Sequence, residues 1–178
     1  MAKFGIDETR VFKPIRIAVL TVSDTRTSET DTSGDLLAER LEAAGHTLAD
    51  RALLRDDSTE IRNKVSQWIT QDDIDAVITT GGTGLTGRDV TVEAVKPLFV
   101  KEIEGFSVVF HMVSYGTVGL STLQSRACAG LASNTFIFCL PGSNGAVKDG
   151  WDKVIKDQLD SRHRPCNLVE LMPRLSET

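Results

Sequence analysis

The segment Thr79-Thr80-Gly81-Gly82-Thr83-Gly84-Leu85-Thr86-Gly87-Arg88-Asp89 places glycines and hydroxyls directly after a short apolar run and ends in an adjacent cation and carboxylate. These residue types suit the holding of a phosphate-bearing ligand. Glycines let the backbone turn with positive φ, and they let N–H groups approach an anion with no Cβ in the way. Arginine neutralises negative charge, and aspartate can hold a magnesium ion through oxygen ligands.

Two common phosphate motifs do not account for this loop. Gly82-x-Gly84-x-x-Gly87 satisfies the dinucleotide fingerprint G-x-G-x-x-G as a bare pattern. That fingerprint opens the first βα unit and is followed about 20 positions on by an acidic residue at the next strand's tip. Here the loop follows the third predicted strand, and Lys101 to Phe106 does not read as a strand end. No Gly-Lys-Ser/Thr follows, which excludes a Walker-type loop.

The elements that must position the loop alternate in type. Ile15 to Val22 is a β-branched run that reads as a buried strand ending in the polar loop Ser23 to Ser28. Leu37, Leu41 and Ala44 fall on one helical face, with Gly45 as the stop. Thr47 to Leu54 reads as a second strand. Asp56-Asp57-Ser58 then gives a capping cluster before a helix with Ile61, Val65, Trp68 and Ile69 on one face, the tryptophan belonging to the core. Asp75 to Thr79 is the third strand, and Asp89 or Thr91 caps a short helix ending before Pro97. Phe106, Val109, Phe110 and Val113 have helical spacing and serve the core or a subunit contact. Thr135 to Leu140 is a strand ending in the turn Pro141 to Gly145, followed by a long helix with the stripe Val147, Trp151, Val154 and Ile155.

Strands alternating with helices predict an α/β fold, a three-layer α/β/α sandwich with a mostly parallel sheet. Loops at the carboxyl ends of parallel strands converge. That rule brings Ser23 to Ser28, Asp56-Asp57, Gly81 to Asp89 and Pro141 to Gly145 to one crevice.

Bulk properties narrow the function. A chain of 178 residues with 40% hydrophobic composition fits one compact domain over residues 1–178, with 1–13 as a flexible or oligomer-contacting arm. A net charge of −5 and a pI of about 5.2 argue against a nucleic-acid surface. Cys128, Cys139 and Cys166 form no C-x-x-C pair and read as small buried side chains. His46, His111 and His163 lack metal-ligand spacing. The N-terminus lacks the apolar core of a signal peptide, and no run approaches the ~18 apolar residues that cross a bilayer, so the expectation is a soluble, cytoplasmic protein without a membrane partner.

Taken together, Leu20-Thr21-Val22-Ser23-Asp24, Thr79 to Gly84, Arg88-Asp89-Val90-Thr91, Leu123-Gln124-Ser125-Arg126-Ala127 and Leu140-Pro141-Gly142-Ser143 resemble the molybdopterin-binding family of molybdenum-cofactor biosynthesis, the MoaB/MogA group. The resemblance runs from about Ile15 to Asn167, and the tail Arg162 to Asn167 with the run Ser121 to Arg126 looks like its B type. It implies a trimer or a dimer of trimers, and work alongside other proteins of the molybdenum-cofactor pathway. Active members transfer AMP from Mg-ATP to the terminal phosphate of molybdopterin and release pyrophosphate. Two aspartates are central to that family, and they match Asp56 and Asp89 here.

The resemblance assigns Asp56 and Asp89 as catalytic residues that orient Mg²⁺ or substrate. It assigns Gly81, Gly82, Thr83 and Gly84 to the nucleotide phosphates, with Arg88 as countercharge. Ser23, Pro141, Gly142 and Ser143 are assigned to molybdopterin. Such chemistry needs charge neutralisation and alignment more than a protein nucleophile. Asp56 has a competing role as a helix cap, which Asp57 could equally fill, and Asp89 likewise. Ser125-Arg126 is left outside the site, with the arginine pairing a carboxylate. Val92 stands where active relatives often have proline, a change in loop stiffness. B-type members thought not to catalyse the transfer often lack the Arg-Asp pair, which this chain keeps. The alternative function is a non-catalytic molybdopterin-binding or assembly protein. A nucleotide-processing enzyme of the competence-damage type ranks third, because its loop differs from Gly81 to Gly84.

Overall fold

The computed structural model describes residues 4–177. A short strand β1 (Gly5–Ile6) precedes β2 (Arg16–Val22), α1 (Thr32–Ala43), β3 (Thr47–Leu54), α2 (Ser58–Ile69), β4 (Ala76–Thr80) and α3 (Thr91–Val95). The second half holds β5 (Lys101–Glu102), α4 (Glu104–Val118), β6 (Cys128–Ala132), β7 (Thr135–Leu140), α5 (Asn144–Gly150), α6 (Lys156–Gln158) and β8 (His163–Arg164). The central sheet has the order β3-β2-β4-β7-β6-β5. Its first four strands are parallel, whereas β6 and β5 run antiparallel to their neighbours.

Successive side chains of a strand point to opposite faces, and β2 divides its apolar residues accordingly. Ile17 and Val19 pack with Leu37 and Leu41 of α1, Phe106 and Phe110 of α4, and Val147 and Trp151 of the C-terminal helices. Ala18, Leu20 and Val22 pack on the other face with Ile61, Val65 and Trp68 of α2 and Val92 and Val95 of α3. The expected three layers are therefore present, with helices on both faces of the sheet. The expected last helix is continuous in space but changes pitch, since a wider π turn over Trp151–Ile155 joins α5 to α6.

Several expectations need correction. Lys101–Glu102 does form a strand, a two-residue edge piece paired to Leu131 and Gly130. Its extended form comes from its partner β6, whose small residues give no β-branched signal of their own. This leaves the dinucleotide motif excluded, because β5 is antiparallel to its neighbour and lies three places from β4 in the sheet order. Cys128 and Cys139 are buried as expected, but Cys166 is exposed. An 18-residue window within Glu104–Gln124 has a mean hydropathy of 1.3, long and apolar enough by length and composition to span a membrane, contrary to the reading of uninterrupted apolar runs. Within this fold α4 packs on the sheet through Phe106, Phe110 and Ser114. Its opposite side exposes Val108, Met112 and Tyr115.

Of the N-terminal arm, residues 1–3 lie outside the described residues. The rest is attached to the C-terminal segment: β1 pairs with β8, and the Lys13 N–H donates to Ser161 Oγ at 2.8 Å.

Candidate functional site

Strands β2, β4 and β7 are parallel neighbours, so their carboxyl ends deliver Ser23 to Arg26, Gly81 to Asp89 and Pro141 to Ser143 to one edge, and β3 adds Asp56 from the side. Together with Gln124 and Ser125 these loops enclose a cavity of about 570 Å³. The structure brings Ser23, Asp56, Gly81, Gly82, Thr83, Gly84, Arg88, Asp89, Pro141, Gly142 and Ser143 all to its wall.

The glycine loop depends on its glycines for space as well as rotation. Gly81 and Gly82 take φ of +103° and +65° in succession, a conformation that side chains with a Cβ disfavour. A Cβ on Gly81 would stand 2.1 Å from the Val22 carbonyl oxygen, and one on Gly82 would stand 2.3 Å from Thr91 Oγ1. Thr91 fastens the loop from the far side: its hydroxyl donates to the Gly81 carbonyl at 2.9 Å and its N–H to the Gly82 carbonyl at 3.0 Å. The expected capping of α3 by Asp89 or Thr91 does not occur; Val90 holds the cap position without a side-chain bond. Both side chains are turned to the loop instead. Asp89 Oδ2 accepts from the Thr86 N–H at 2.9 Å and the Thr86 hydroxyl at 2.6 Å.

The two neighbouring aspartates after β3 separate by role. Asp57 caps α2, accepting from the Thr59 and Glu60 N–H groups at 2.8 and 2.9 Å. Asp56 faces the cavity, so the capping alternative for it is set aside. Its N–H donates to Asp24 Oδ1 at 3.3 Å, while its carboxylate makes no side-chain hydrogen bond among the described residues. Burial and the charges of Asp24 and Asp89 push the Asp56 carboxyl above its ordinary value, with Arg88 and the Asp24 N–H opposing them. Asp89 shifts the other way. Burial works against its ionisation, but hydrogen bonds from Thr86 and the Gly84 N–H outweigh that and hold it below the ordinary value.

Ser143 caps α5 through the Ala146 N–H at 3.1 Å, and Ser23 Oγ accepts from the Arg26 N–H at 3.2 Å. These hydroxyls serve their own loops while lining the cavity.

Sequence reasoning missed Asp24 and Arg26. Asp24 binds Arg88 at two points, and Arg26 donates to the Gly142 carbonyl at 3.0 Å and to Ser33 Oγ. Arg26 also lies 3.6 Å from the buried Asp31 carboxylate. Both stand in the loop after the first long strand, where a charged side chain at a strand's carboxyl end was the available signal.

Among the described residues no group of three or more His, Cys, Asp or Glu is placed to hold a metal ion. A hexacoordinate cation that keeps its waters and arrives with a polyphosphate needs only one or two protein carboxylates. The Asp56 carboxylate, on the cavity wall and without a side-chain partner among the described residues, fits that requirement.

A family model described as "Probable molybdopterin binding domain" matches residues 18–161. The chain is 51% identical over 156 residues to molybdenum cofactor biosynthesis protein B of Escherichia coli K12, covering 88% of this chain and 92% of that protein. A crystal structure of a molybdenum cofactor biosynthesis protein B superposes with a TM-score of 0.84 at 39% identity, over 95% of this chain and 100% of the other. The tungsten cofactor synthesizing protein MoaB of Pyrococcus furiosus gives 0.75 at 35% identity, over 93% and 99%. The chain belongs to the MoaB/MogA family of molybdenum cofactor biosynthesis proteins.

Proposed function

We propose that this protein binds molybdopterin and Mg-ATP in the cavity and transfers the adenylyl group to the terminal phosphate of molybdopterin. The phosphate oxygen bonds to the α-phosphorus of ATP, the bond from the α-phosphorus to the oxygen bridging to the β-phosphate breaks, and pyrophosphate leaves. The observation that carries this reading is Asp56. It is a carboxylate that no side chain hydrogen-bonds among the described residues, set beside a glycine loop and an arginine in one cavity.

The glycine loop presents backbone to the phosphates, and Arg88 supplies countercharge once it leaves Asp24. Magnesium carried on ATP would neutralise phosphate charge. Asp56 would hold it, and Asp89 would reach it only through lone pairs that Thr86 and Gly84 leave free. The loop of Pro141, Gly142 and Ser143, tied to Arg26, forms the opposite wall for molybdopterin. The exposed apolar side chains of α4, with Leu120 and Leu123 beyond it, suit an assembly of copies as a trimer or a dimer of trimers. We place the protein in the cytoplasm, working with other proteins of the pathway.

A non-catalytic molybdopterin-binding protein is the second reading. It is favoured by the engagement of Arg88 with Asp24 and of Asp89 with Thr86, which leaves Asp56 as the one carboxylate of the three without a side-chain partner among the described residues. Pyrophosphate release from Mg-ATP, measured with and without molybdopterin, separates the two. Release that requires molybdopterin supports the transferase, and tight binding of both ligands with no release supports the carrier.

A further inference from the structure

Arg126 stands behind the glycine loop and holds it by its carbonyls. Its Nε donates to the Gly84 carbonyl at 2.8 Å and more weakly to that of Thr83 at 3.4 Å. Its Nη2 donates to the Asp89 carbonyl at 3.0 Å, and its backbone N–H donates to the Thr83 carbonyl at 2.9 Å. Glu93, on α3 just past the loop, pairs with the same guanidinium through both carboxylate oxygens. One side chain thus ties the start of the loop, its end and the following helix. The guanidinium is absent from the cavity wall, although its neighbours Gln124 and Ser125 are part of it.

A trans peptide sets its C=O and the next N–H on opposite sides. Each carbonyl drawn toward Arg126 therefore turns the following N–H away from it. Gly84 lies against the Asp89 carboxylate, whose Oδ2 would stand 2.7 Å from a Cβ built there, and its N–H is among the groups that hold that carboxyl below its ordinary value. The planar fork of arginine can serve several carbonyls at once, which the point charge of lysine does not reproduce.

We propose that Arg126 is a positioning residue that sets which way the peptide groups of Thr83 to Asp89 face, and so prepares the loop's N–H groups for an anion. The proposal deepens the phosphate-binding reading of this loop and rests on it for its ligand. Arg126 does not line the cavity. Its effect passes through the loop backbone.

Hydrogen exchange over residues 81–91 and calorimetric binding of inorganic pyrophosphate test it on the full chain, with R126A, R126K and E93Q. In R126A, exchange in the loop should rise and pyrophosphate affinity should fall about tenfold, the loss of ~1.4 kcal/mol spread over the carbonyl bonds, while β2 and β7 stay protected. Lysine should recover only part of this. E93Q should keep loop exchange and affinity near wild type, because the carbonyl bonds remain. Should R126A fail to fold, R126K carries the test: faster loop exchange supports the proposal, and wild-type exchange overturns it. Loop exchange does not depend on catalysis. If the wild type proves to release no pyrophosphate from ATP, the transferase reading fails while the exchange result still decides the role of Arg126.

Discussion

Asp24 and Arg88, 64 residues apart in the chain, meet in a two-point ion pair with Nε–Oδ2 and Nη2–Oδ1 both at 2.8 Å. The pair joins the loop after β2 to the glycine loop along the cavity. It holds the Asp24 carboxyl below its ordinary value, the hydrogen bond from Arg88 being the largest cause. A phosphate that recruits Arg88 must compete with this carboxylate.

Asp24→Asn should therefore tighten pyrophosphate binding modestly, since an exposed ion pair competes only weakly for the guanidinium. Arg88→Ala should weaken it about tenfold through the loss of charge-assisted bonding. Calorimetry at two salt concentrations checks both. Equal affinities in wild type and both variants would remove Arg88 from the site.

Asp56 has its carboxyl raised by burial and neighbouring charge. A carboxyl whose folded value lies above its unfolded one gives stability that is fully present below the unfolded value and lost as pH rises through the folded value. Asp56→Asn should accordingly melt higher than wild type at pH 7, by about 1–3 °C, with the difference shrinking in acid. The same substitution should abolish activity. A variant less stable at pH 7 would show that Asp56 is held by favourable contacts after all.

Gly82 combines φ of +65° with Thr91 Oγ1 2.3 Å from where a Cβ would stand. Gly82→Ala should cost about 1–3 kcal/mol in denaturant unfolding through backbone strain and overpacking. It should also displace Thr91 and weaken anion binding. Gly87 has nothing within 4 Å of an added Cβ, so Gly87→Ala should change stability by less than about 1 kcal/mol.

Asp31 is the buried anchor beneath the site, its side chain 1% exposed and bonded to Arg51 Nη2 and Thr21 Oγ1, both at 2.7 Å. Burial opposes its ionisation, but Arg51, Thr21 and the Gly34 N–H prevail and hold it below its ordinary value. Its contribution is thus complete above about pH 4, the unfolded value, and is lost as pH falls through the depressed folded one. Asp31→Ala should destabilise by about 2–3 kcal/mol, short of the roughly 3–5 of a fully enclosed pair because Arg51 keeps contact with solvent. Its urea midpoint, followed from pH 7 to pH 3, should vary less with pH than that of the wild type.

Much of the fold is legible in the residues because period and composition agree. Strand β3 has the limits read from Thr47 to Leu54, and β2 begins one residue inside its β-branched run. Strand β6 is not legible, since Cys128, Ala129, Gly130, Leu131 and Ala132 carry no alternation and little β propensity; tertiary pairing with β7 makes them a strand. At the site, convergence of the loops follows from parallel strands alone. The division of labour between Asp56 and Asp57 does not, because both precede Ser58 and only the direction of the backbone shows which one meets the helix N–H groups. Asp24 with Arg88, and Arg126 with the glycine loop, pair across 64 and about 40 residues, beyond any local pattern.

Transfer of label from ATP carrying radioactive phosphorus at the α position tests the central claim most directly. Purified protein given this ATP, Mg²⁺ and molybdopterin should move the label into the pterin product, and Asp56→Asn should not, though it still binds both ligands. Label that stays in ATP with the wild type, while both ligands are bound, would contradict the transferase and leave a binding protein.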